Sequence, residues 1–218
     1  QKPHLLNFFI ERIHTMAFPF LGLFLVFLLV LSFFIKKGDR QNQKVMDDFW
    51  KRENEANDVR KKDISGLPYI TIPMSKFPIG ISSDPELTDY ENDLFALTKL
   101  KILNLGSQTN TELKLKYGPA NLTALSEYDQ NFTTLIRTLV AYAKCLIKNG
   151  FNTEAVPVLE FGIEIGSDIR ANYTLLANYY KDHGHLQQLD GLMEKASALD
   201  SVMKSSILEQ LNSIKAAS

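Results

Sequence analysis

An internal repeat over residues 136–203 constrains this chain more than any other feature. When the sequence is aligned with itself so that Ile136 meets Arg170, small residues align with small ones and large apolar residues with large apolar ones. The small pairs are Ala143 with Ala177, Gly150 with Gly184, Gly162 with Ala196, and Ser167 with Ser201. The large pairs include Leu139 with Tyr173, Tyr142 with Leu176, Leu146 with Tyr180, and Leu159 with Met193. A period of 34 is typical of a repeated helix–turn–helix, so we expect an all-α fold.

This pattern resembles the tetratricopeptide repeat (TPR). The first helix of each unit in that family carries a bulky residue, a leucine, a small residue and a tyrosine, and these correspond to Tyr173, Leu176, Ala177 and Tyr180. The first copy matches through Leu139, Ala143, Gly150, Ala155 and Gly162. The chain departs from the family at Leu189, where alanine is usual, and at Ser167 and Ser201, where proline is usual. The resemblance covers about a third of the chain, as copies 136–169 and 170–203.

Two repeats are fewer than the roughly three that a repeat domain needs for stability. We therefore expect the helices upstream of residue 136 to form a divergent third pair within a domain over residues 84–218. Residues 204–216 predict a final helix with polar residues on its outer side, which would shield the end of the solenoid.

Turn and cap residues divide the upstream part of this domain. Asp84 followed by Pro85 predicts the start of a helix that continues to Gly106. Residues 111–117 predict one or two further turns, closed by Gly118-Pro119. Residues 122–146 have helical spacing and form either one long helix or two helices with a break near residues 129–131. Thr153 is predicted to cap the next helix, and Ser167 or Asp168 the one after it.

An uncharged apolar run lies at residues 17–35. As a helix it would span roughly 28 Å, close to the hydrocarbon thickness of a bilayer. The alternative is a cleaved signal peptide, but an apolar core of that kind is usually only about 7–15 residues long and precedes a small-x-small cleavage site. No such site follows this run, so it predicts a single transmembrane helix.

The charges that flank the run predict its orientation. The cations after it are Lys36, Lys37, Arg40 and Lys44, and those before it are Lys2 and Arg12. The positive-inside rule then places the C-terminal domain in the cytoplasm, beneath an inner or plasma membrane. The opposite topology is the alternative. Residues 1–16 form either a leader that precedes a start at Met16 or a short interfacial helix.

Residues 36–62 are rich in charge and predict a stalk helix that leaves the membrane. Phe49 and Trp50 lie on one side of it and form either part of a plain stalk or a partner-binding face. Residues 63–83 then carry Pro68, Pro73 and Pro78, which exclude a helix. We expect an extended arm that packs Tyr69, Ile72 and Phe77 into apolar grooves; a disordered linker and a strand donated to a partner are the alternatives.

The predicted function is protein–protein interaction at a membrane. The resemblance implies a peptide- or helix-binding inner surface lined by the first helix of each repeat. Its inward positions correspond to Arg137, Val140, Lys144, Ile147, Lys148, Thr174, Asn178, Lys181 and Asp182. Their excess of cations favours a partner with some negative charge. The alternative function is an accessory subunit of a larger membrane complex, held through the transmembrane and stalk helices.

Other classes of function have little support in the sequence. The net charge of -1 lacks the basic excess of a nucleic-acid-binding protein. The sequence contains no phosphate-binding glycine loop and no hydrolase or metalloprotease motif. Cys145 is the only cysteine, which excludes an internal disulfide. We therefore predict no enzyme activity, no cofactor and no metal, with the lipid bilayer and another protein as partners.

The predicted orientation can be tested with a protease that cannot cross the membrane. Because the cations follow the apolar run, residues 84–218 should survive when the protease is added to intact cells or spheroplasts. They should be digested once the membrane is permeabilised, as detected with an antibody against the C-terminus. Digestion in intact cells would show the opposite topology.

Overall fold

The computed structural model describes the backbone of residues 3–216 and the side chains of residues 22–39 and 42–216. The described part is all-α, as predicted, and contains no β-strand. Its α-helices are α1 (Pro3–Asn57), α2 (Pro85–Leu97), α3 (Asn110–Tyr117), α4 (Leu122–Lys148), α5 (Ala155–Glu164), α6 (Arg170–Asp182), α7 (Leu186–Ser197) and α8 (Lys204–Ala216). Short 3₁₀ helices lie at Met74–Lys76 and Pro119–Asn121. The chain divides into an N-terminal unit, Gln1–Glu55, and a helical unit, Ala56–Ser218.

The described residues of the N-terminal unit belong to α1, one continuous helix of 55 residues. The helix ends at Asn57, so the predicted stalk extends too far: residues 58–62 leave the helix, and the amide of Lys62 donates to the carbonyl of Tyr117. The large apolar side chains of residues 23–35 are exposed. Within the described residues, no helix meets the length and hydropathy expected of a membrane span. The side chains of the predicted leader, residues 1–16, and of residues 17–21 lie outside the described set.

The helix α2 begins at the predicted position but ends early. Asp84 accepts a hydrogen bond from the amide of Glu86, and Pro85 is the first helical residue, which confirms the predicted cap. The predicted end at Gly106 is wrong, because α2 stops at Leu97. The carbonyl of Ile102 instead accepts from the amide of Ile70, and the amide of Leu103 donates to the carbonyl of Tyr128. These bonds to distant segments replace helical ones, and local sequence could not reveal them.

The later boundaries follow the sequence more closely. A capping box between Thr109 and Glu112 starts α3, and Gly118 ends it as predicted. The helix α4 runs unbroken from Leu122 to Lys148, so of the two predicted alternatives the single long helix is confirmed. Thr153 does not cap α5; Glu154 occupies that position and makes no side-chain cap bond. The predicted cap of α6 at Ser167 or Asp168 is wrong, because Ile169 occupies the N-cap position without a side-chain cap bond. The hydroxyl of Ser167 accepts from the amide of Ile169.

The turns between paired helices repeat in atomic detail. In the α4–α5 turn, the amides of Asn149, Gly150, Phe151 and Ala155 donate to the carbonyls of Cys145, Ile147, Leu146 and Phe151, respectively. In the α6–α7 turn, the amides of His183, Gly184, His185 and Leu189 donate to the carbonyls of Tyr179, Lys181, Tyr180 and His185. Every donor and acceptor in the second set lies one repeat period after its counterpart. The φ angles of the two turn glycines are also alike, 88° at Gly150 and 70° at Gly184.

The hydrophobic core follows the order of the helices. The helix α4 packs against α2 and α5, while α6 packs against α5, α7 and α8. The largest fully buried side chains are Tyr142, Tyr173, Leu87, Leu94, Ile102, Leu125, Leu135, Leu139, Leu146, Leu159, Leu176 and Leu189. Burial and the nearby charge of Asp168 raise the pKa of Tyr173 to about 12. The phenol is therefore neutral in the core across the physiological pH range.

The arm of residues 63–83 lies against the helical unit and is fixed by a buried polar cluster. Ile72 and Phe77 are buried, and the ring of Phe77 meets that of Phe161 edge-on at 5.6 Å between centroids. The buried carboxylate of Glu91 accepts from the amide of Gly80 (3.0 Å) and from the hydroxyl of Tyr142 (3.2 Å). The Tyr142 hydroxyl also lies 3.0 Å from the carbonyl of Pro78. The cluster therefore joins the arm to both α2 and α4.

The start of the arm passes close to Gly118. A Cβ at this position would lie 2.6 Å from the carbonyl oxygen of Arg60. Its backbone angles, φ 87° and ψ 145°, belong to a region that is essentially restricted to glycine. The side chain of Asn121, which is itself buried, donates to the carbonyls of Lys62 and Tyr117 and holds this approach together.

We expect Gly118→Ala to lower the free energy of unfolding by about 2–6 kcal/mol, through backbone strain and overpacking against Arg60. Gly150→Ala is the matched control, because Gly150 has a similar φ of 88° but no atom within 4 Å of the added Cβ. It should cost only about 1–2 kcal/mol. Chemical denaturation of the full chain in detergent measures both. Equal losses would contradict the close approach of the arm.

The helix α5 approaches α6 closely at Gly162. A Cβ there would lie 2.5 Å from Oδ1 of Asn172. Asn172 is fully buried and its Nδ2 donates to the carbonyl of Leu159 at 2.7 Å, so its amide group is held in place. Oδ1 is a buried atom without a hydrogen-bond partner among the described residues. The absence of a side chain at Gly162 therefore decides how closely these helices pack.

Gly162→Ala should destabilise the helical unit by about 1–3 kcal/mol, because the new methyl group meets the fixed amide of Asn172. Gly191→Ala in α7 is the matched control: that helical glycine has open space around its Cβ position. Alanine should stabilise α7 there by about 0.5–1 kcal/mol through helix propensity. Urea titrations of the two variants should thus shift in opposite directions. A shift in the same direction would refute the role assigned to Gly162.

Candidate functional site

A groove of about 640 Å³ opens on the helical unit beside the beginnings of α6 and α8. Four elements form it: α4, the α2–α3 connection (residues 98–109), the α5–α6 turn and the α7–α8 turn. The lining residues are Asn104, Gly106, Ser107, Asp129, Phe132, Thr133, Ile136, Arg137, Gly166, Asp168, Ile169, Ala198, Leu199, Asp200, Ser201 and Val202. Its volume lies within the range of protein sites that bind small molecules or the anchor side chains of peptides. We refer to it as the α4 groove.

Apolar side chains form the floor of the α4 groove. Phe132 and Ile136 project from consecutive turns of α4 and are buried, while Ile169 and Leu199 are half-buried in the two turns. Val202, at the lip, has 97% of its surface exposed. A fully exposed valine beside an apolar floor is the kind of surface that a partner would cover.

Three aspartates surround the floor, and each uses one carboxylate oxygen within the fold. Asp129 accepts from the amide of Leu105 at 3.1 Å. Asp168 accepts from the hydroxyl of Ser201 at 2.7 Å, and Asp200 from the hydroxyl of Ser107 at 2.6 Å. The second oxygen of each carboxylate has no hydrogen-bond partner within the described part of the chain. These bonds orient the carboxylates while leaving acceptor capacity at the groove.

Arg137 is the one cation among the residues that line the groove. It is exposed and makes no hydrogen bond or ion pair to the other described residues. Three carboxylates against one guanidinium give the lining a net negative charge.

Repeat geometry and a long-range contact together create this arrangement. The hydroxyls of Ser167 and Ser201, which occupy equivalent positions of the two repeats, accept from the amides of Ile169 and Met203 and so hold the two turns in the same conformation. The amide group of Asn104 donates to the carbonyl of Ile165, which ties the α2–α3 connection to the end of α5. The groove therefore lies where the repeats meet a segment that is not part of them.

The binding positions that the sequence predicted on α4 lie in different environments. Arg137 lines the α4 groove, and Val140 is buried in the core. Lys148 forms an ion pair with Glu86 of α2 at 2.9 Å. This hydrogen bond raises the pKa of the Lys148 ammonium group and lowers that of the Glu86 carboxyl. Lys144 is exposed and Ile147 is half-buried.

The positions predicted on α6 lie outside the α4 groove. Thr174 is half-buried and its hydroxyl lies 3.4 Å from the carbonyl of Ala171. Asn178 and Asp182 are exposed, and Lys181 is half-buried. Both α4, which carries Lys144, and α6, which carries Lys181, pack against α5.

Phe49 and Trp50 belong to the N-terminal unit and lie on α1. Their rings meet edge-on at 5.4 Å between centroids, and their exposed fractions are 48% and 54%. Val45 and Met46, one turn earlier, are exposed as well. The four side chains form an exposed apolar patch on α1, called the stalk patch below.

Sequence reasoning missed most of the α4 groove. It treated Asp168 only as a possible helix cap and placed residues 104–106 at the end of the helix that begins after Asp84. The available signal was the repeated serine, Ser167 and Ser201, each next to an aspartate. Asp129 and Ser107 carry no local signal, because contacts to residues far away in sequence bring them to the groove.

The side chains of the α4 groove are of the kinds that bind a ligand. No group of three or more metal-binding side chains occurs among the described residues. Cys145 is buried, and desolvation raises the pKa of its thiol, which disfavours the reactive thiolate. The apolar floor and oriented carboxylates of the α4 groove are suited to binding.

Comparisons of the chain with protein-family models, curated proteins and solved structures return no match. Its function is therefore inferred from the geometry and chemistry described above.

Proposed function

We propose that this chain is a membrane-anchored, TPR-like interaction module that holds a protein partner at the membrane. In this proposal α1 carries the anchor and the helical unit carries the binding surfaces. Recognition of a peptide or helix segment, rather than catalysis, is its activity.

The observation that carries the proposal is the recurrence of turn geometry at the repeat period. Four backbone hydrogen bonds of the α4–α5 turn have counterparts in the α6–α7 turn, and small residues occupy the equivalent buried positions Ala143 and Ala177. The helix α8 follows α7 in the position of a further first helix and packs against α6. Stacked helix pairs of this kind generate extended surfaces that bind peptides or helices.

The membrane part of the proposal is supported by the exposed apolar surface of α1. Large apolar side chains from Leu23 to Ile35 are exposed on all sides of this helix. A helix that is apolar all round needs either a protein core or lipid around it. Lys36 and Lys37, which follow directly, support the cytoplasmic placement of the helical unit.

The exposed cations of the first helices supply one candidate binding surface. Lys144 is exposed and Lys181 is half-buried, and neither has an ion-pair partner among the described residues. A partner segment with acidic residues would gain modest, salt-sensitive attraction from them.

The stalk patch supports the second candidate, an accessory subunit of a membrane complex. The last apolar residue of the run is Ile35, and Trp50 lies several turns further along the same helix. The rise of a helix places it roughly 22 Å beyond Ile35, past the headgroup layer if the helix stands upright. A membrane-proximal helix of another protein would cover these side chains.

One co-purification experiment tests the proposal. The tagged full chain is isolated in detergent and the stoichiometry of bound proteins is quantified for three variants. Lys144→Glu with Lys181→Glu should abolish capture if the first-helix surface binds, mainly by repelling an acidic partner. Lys99→Glu with Lys195→Glu is the matched control, since it makes the same charge change at exposed lysines elsewhere and should leave capture intact.

Phe49→Ala with Trp50→Ala is the third variant. If it alone abolishes capture of a stoichiometric membrane protein, the accessory-subunit function replaces the adaptor function. Circular dichroism establishes that each variant remains helical. Failure of the wild-type chain to retain any protein in stoichiometric amount would refute both functions.

A further inference from the structure

We propose that the α4 groove binds a peptide segment that presents a lysine or arginine side chain flanked by apolar residues. The inference rests on the proposed interaction function and specifies a partner chemistry for one surface of the helical unit. It differs from the acidic partner that the exposed lysines favour.

The apolar floor provides the first half of this recognition. Phe132 and Ile136 present a buried aromatic and aliphatic surface, and Leu199 extends it on the opposite wall. Val202 adds an almost fully exposed aliphatic side chain at the lip. Apolar side chains that enter such a groove remove surface from water on both partners, which is the main source of binding free energy at contacts of this kind.

The three carboxylates provide the second half. Asp129, Asp168 and Asp200 come from different elements and are oriented by bonds to Leu105, Ser201 and Ser107. Each retains one oxygen without a partner in the described chain, so a cation can be bound without breaking the bonds that hold the groove. Charge-assisted hydrogen bonds from lysine or arginine to such oxygens are stronger than neutral ones.

The α4 groove is not suited to anions, although the N-termini of α6 and α8 lie beside it. The hydroxyls of Ser167 and Ser201 already accept from the amides of Ile169 and Met203. Asp168 and Asp200 place negative charge beside the same helix starts, where it offsets the positive end of each helix dipole. An acidic ligand would meet these carboxylates and find only Arg137 to attract it.

A peptide titration tests this chemistry directly. The full chain in lipid nanodiscs is titrated into a fluorescein-labelled capped hexapeptide with a Leu-Lys-Leu core, and anisotropy is measured against empty nanodiscs. Two matched peptides replace the lysine with glutamate or both leucines with serine. We expect binding of the Leu-Lys-Leu peptide and at least ten-fold weaker binding of the other two.

Variants of the chain assign the binding to the groove. Asp129→Asn, Asp168→Asn and Asp200→Asn each keep an acceptor oxygen for the internal bond but remove the charge. Each should weaken binding about three-fold, and more at low salt than at high salt. Arg137→Gln should strengthen it, because it removes the one cation of the lining. Asp182→Asn on α6 is the control and should have no effect.

The outcomes separate this inference from the proposed function. Equal binding of the lysine and glutamate peptides, or no binding of either, would overturn the inference. Binding that responds to Asp182→Asn but not to the groove aspartates would overturn it as well and would point to the α6 surface. If an aspartate variant unfolds, Arg137→Gln still decides, since weaker binding in that variant contradicts a cationic ligand.

The titration does not depend on the natural partner. If the anisotropy does not change on titration but co-purification succeeds, only the inference about the α4 groove is refuted. A positive titration together with failed co-purification refutes the adaptor function in the form proposed above.

Discussion

The close approach of α5 to α6 is the contact on which the helical unit most depends. A helix pair of this length cannot bury its apolar side by itself, so α6 is stable only because α5, α7 and α8 pack around it. That packing requires a residue without a side chain at Gly162, opposite the buried amide of Asn172. The orphaned Oδ1 of Asn172 costs hydrogen-bonding free energy, and the close packing of the surrounding helices must offset it.

The arm covers a further apolar surface of the helical unit. There, α2 and α4 would expose apolar surface, and Ile72 and Phe77 from the arm cover it. Glu91 could not remain buried without its bonds to Gly80 and Tyr142, so the polar cluster exists only when the arm is in place. Burial raises the pKa of Tyr142, and the nearby charge of Glu91 raises it further. The hydroxyl therefore stays protonated and donates a hydrogen bond. A segment whose described residues form no α-helix or strand is thus held by one buried acid and two apolar anchors.

Local sequence predicted those features that depend on local physics. The Asp84 cap, the glycine that ends α3 and the final helix over residues 204–216 all follow from residues within a few turns of each other. The end of α2 was predicted wrongly, since Ile102 and Leu103 have apolar spacing that a helix would also show. Backbone bonds to residues 70 and 128 decide their conformation, and no local pattern encodes such bonds. The α4 groove was missed for the same reason, because residues 104–107 form one of its walls.

The long helix α4 supplies one wall of the α4 groove. The helix α6 begins at Arg170, and the equivalent position in the first repeat is Ile136. Yet α4 begins at Leu122, so residues 122–135 extend before the position at which the predicted first repeat begins. Phe132 and Asp129 lie on that extension. A first helix that began at residue 136 would lack both of these side chains. The extra length of α4, together with the connection that Asn104 ties across to Ile165, instead produces a concave, partly apolar surface bordered by carboxylates.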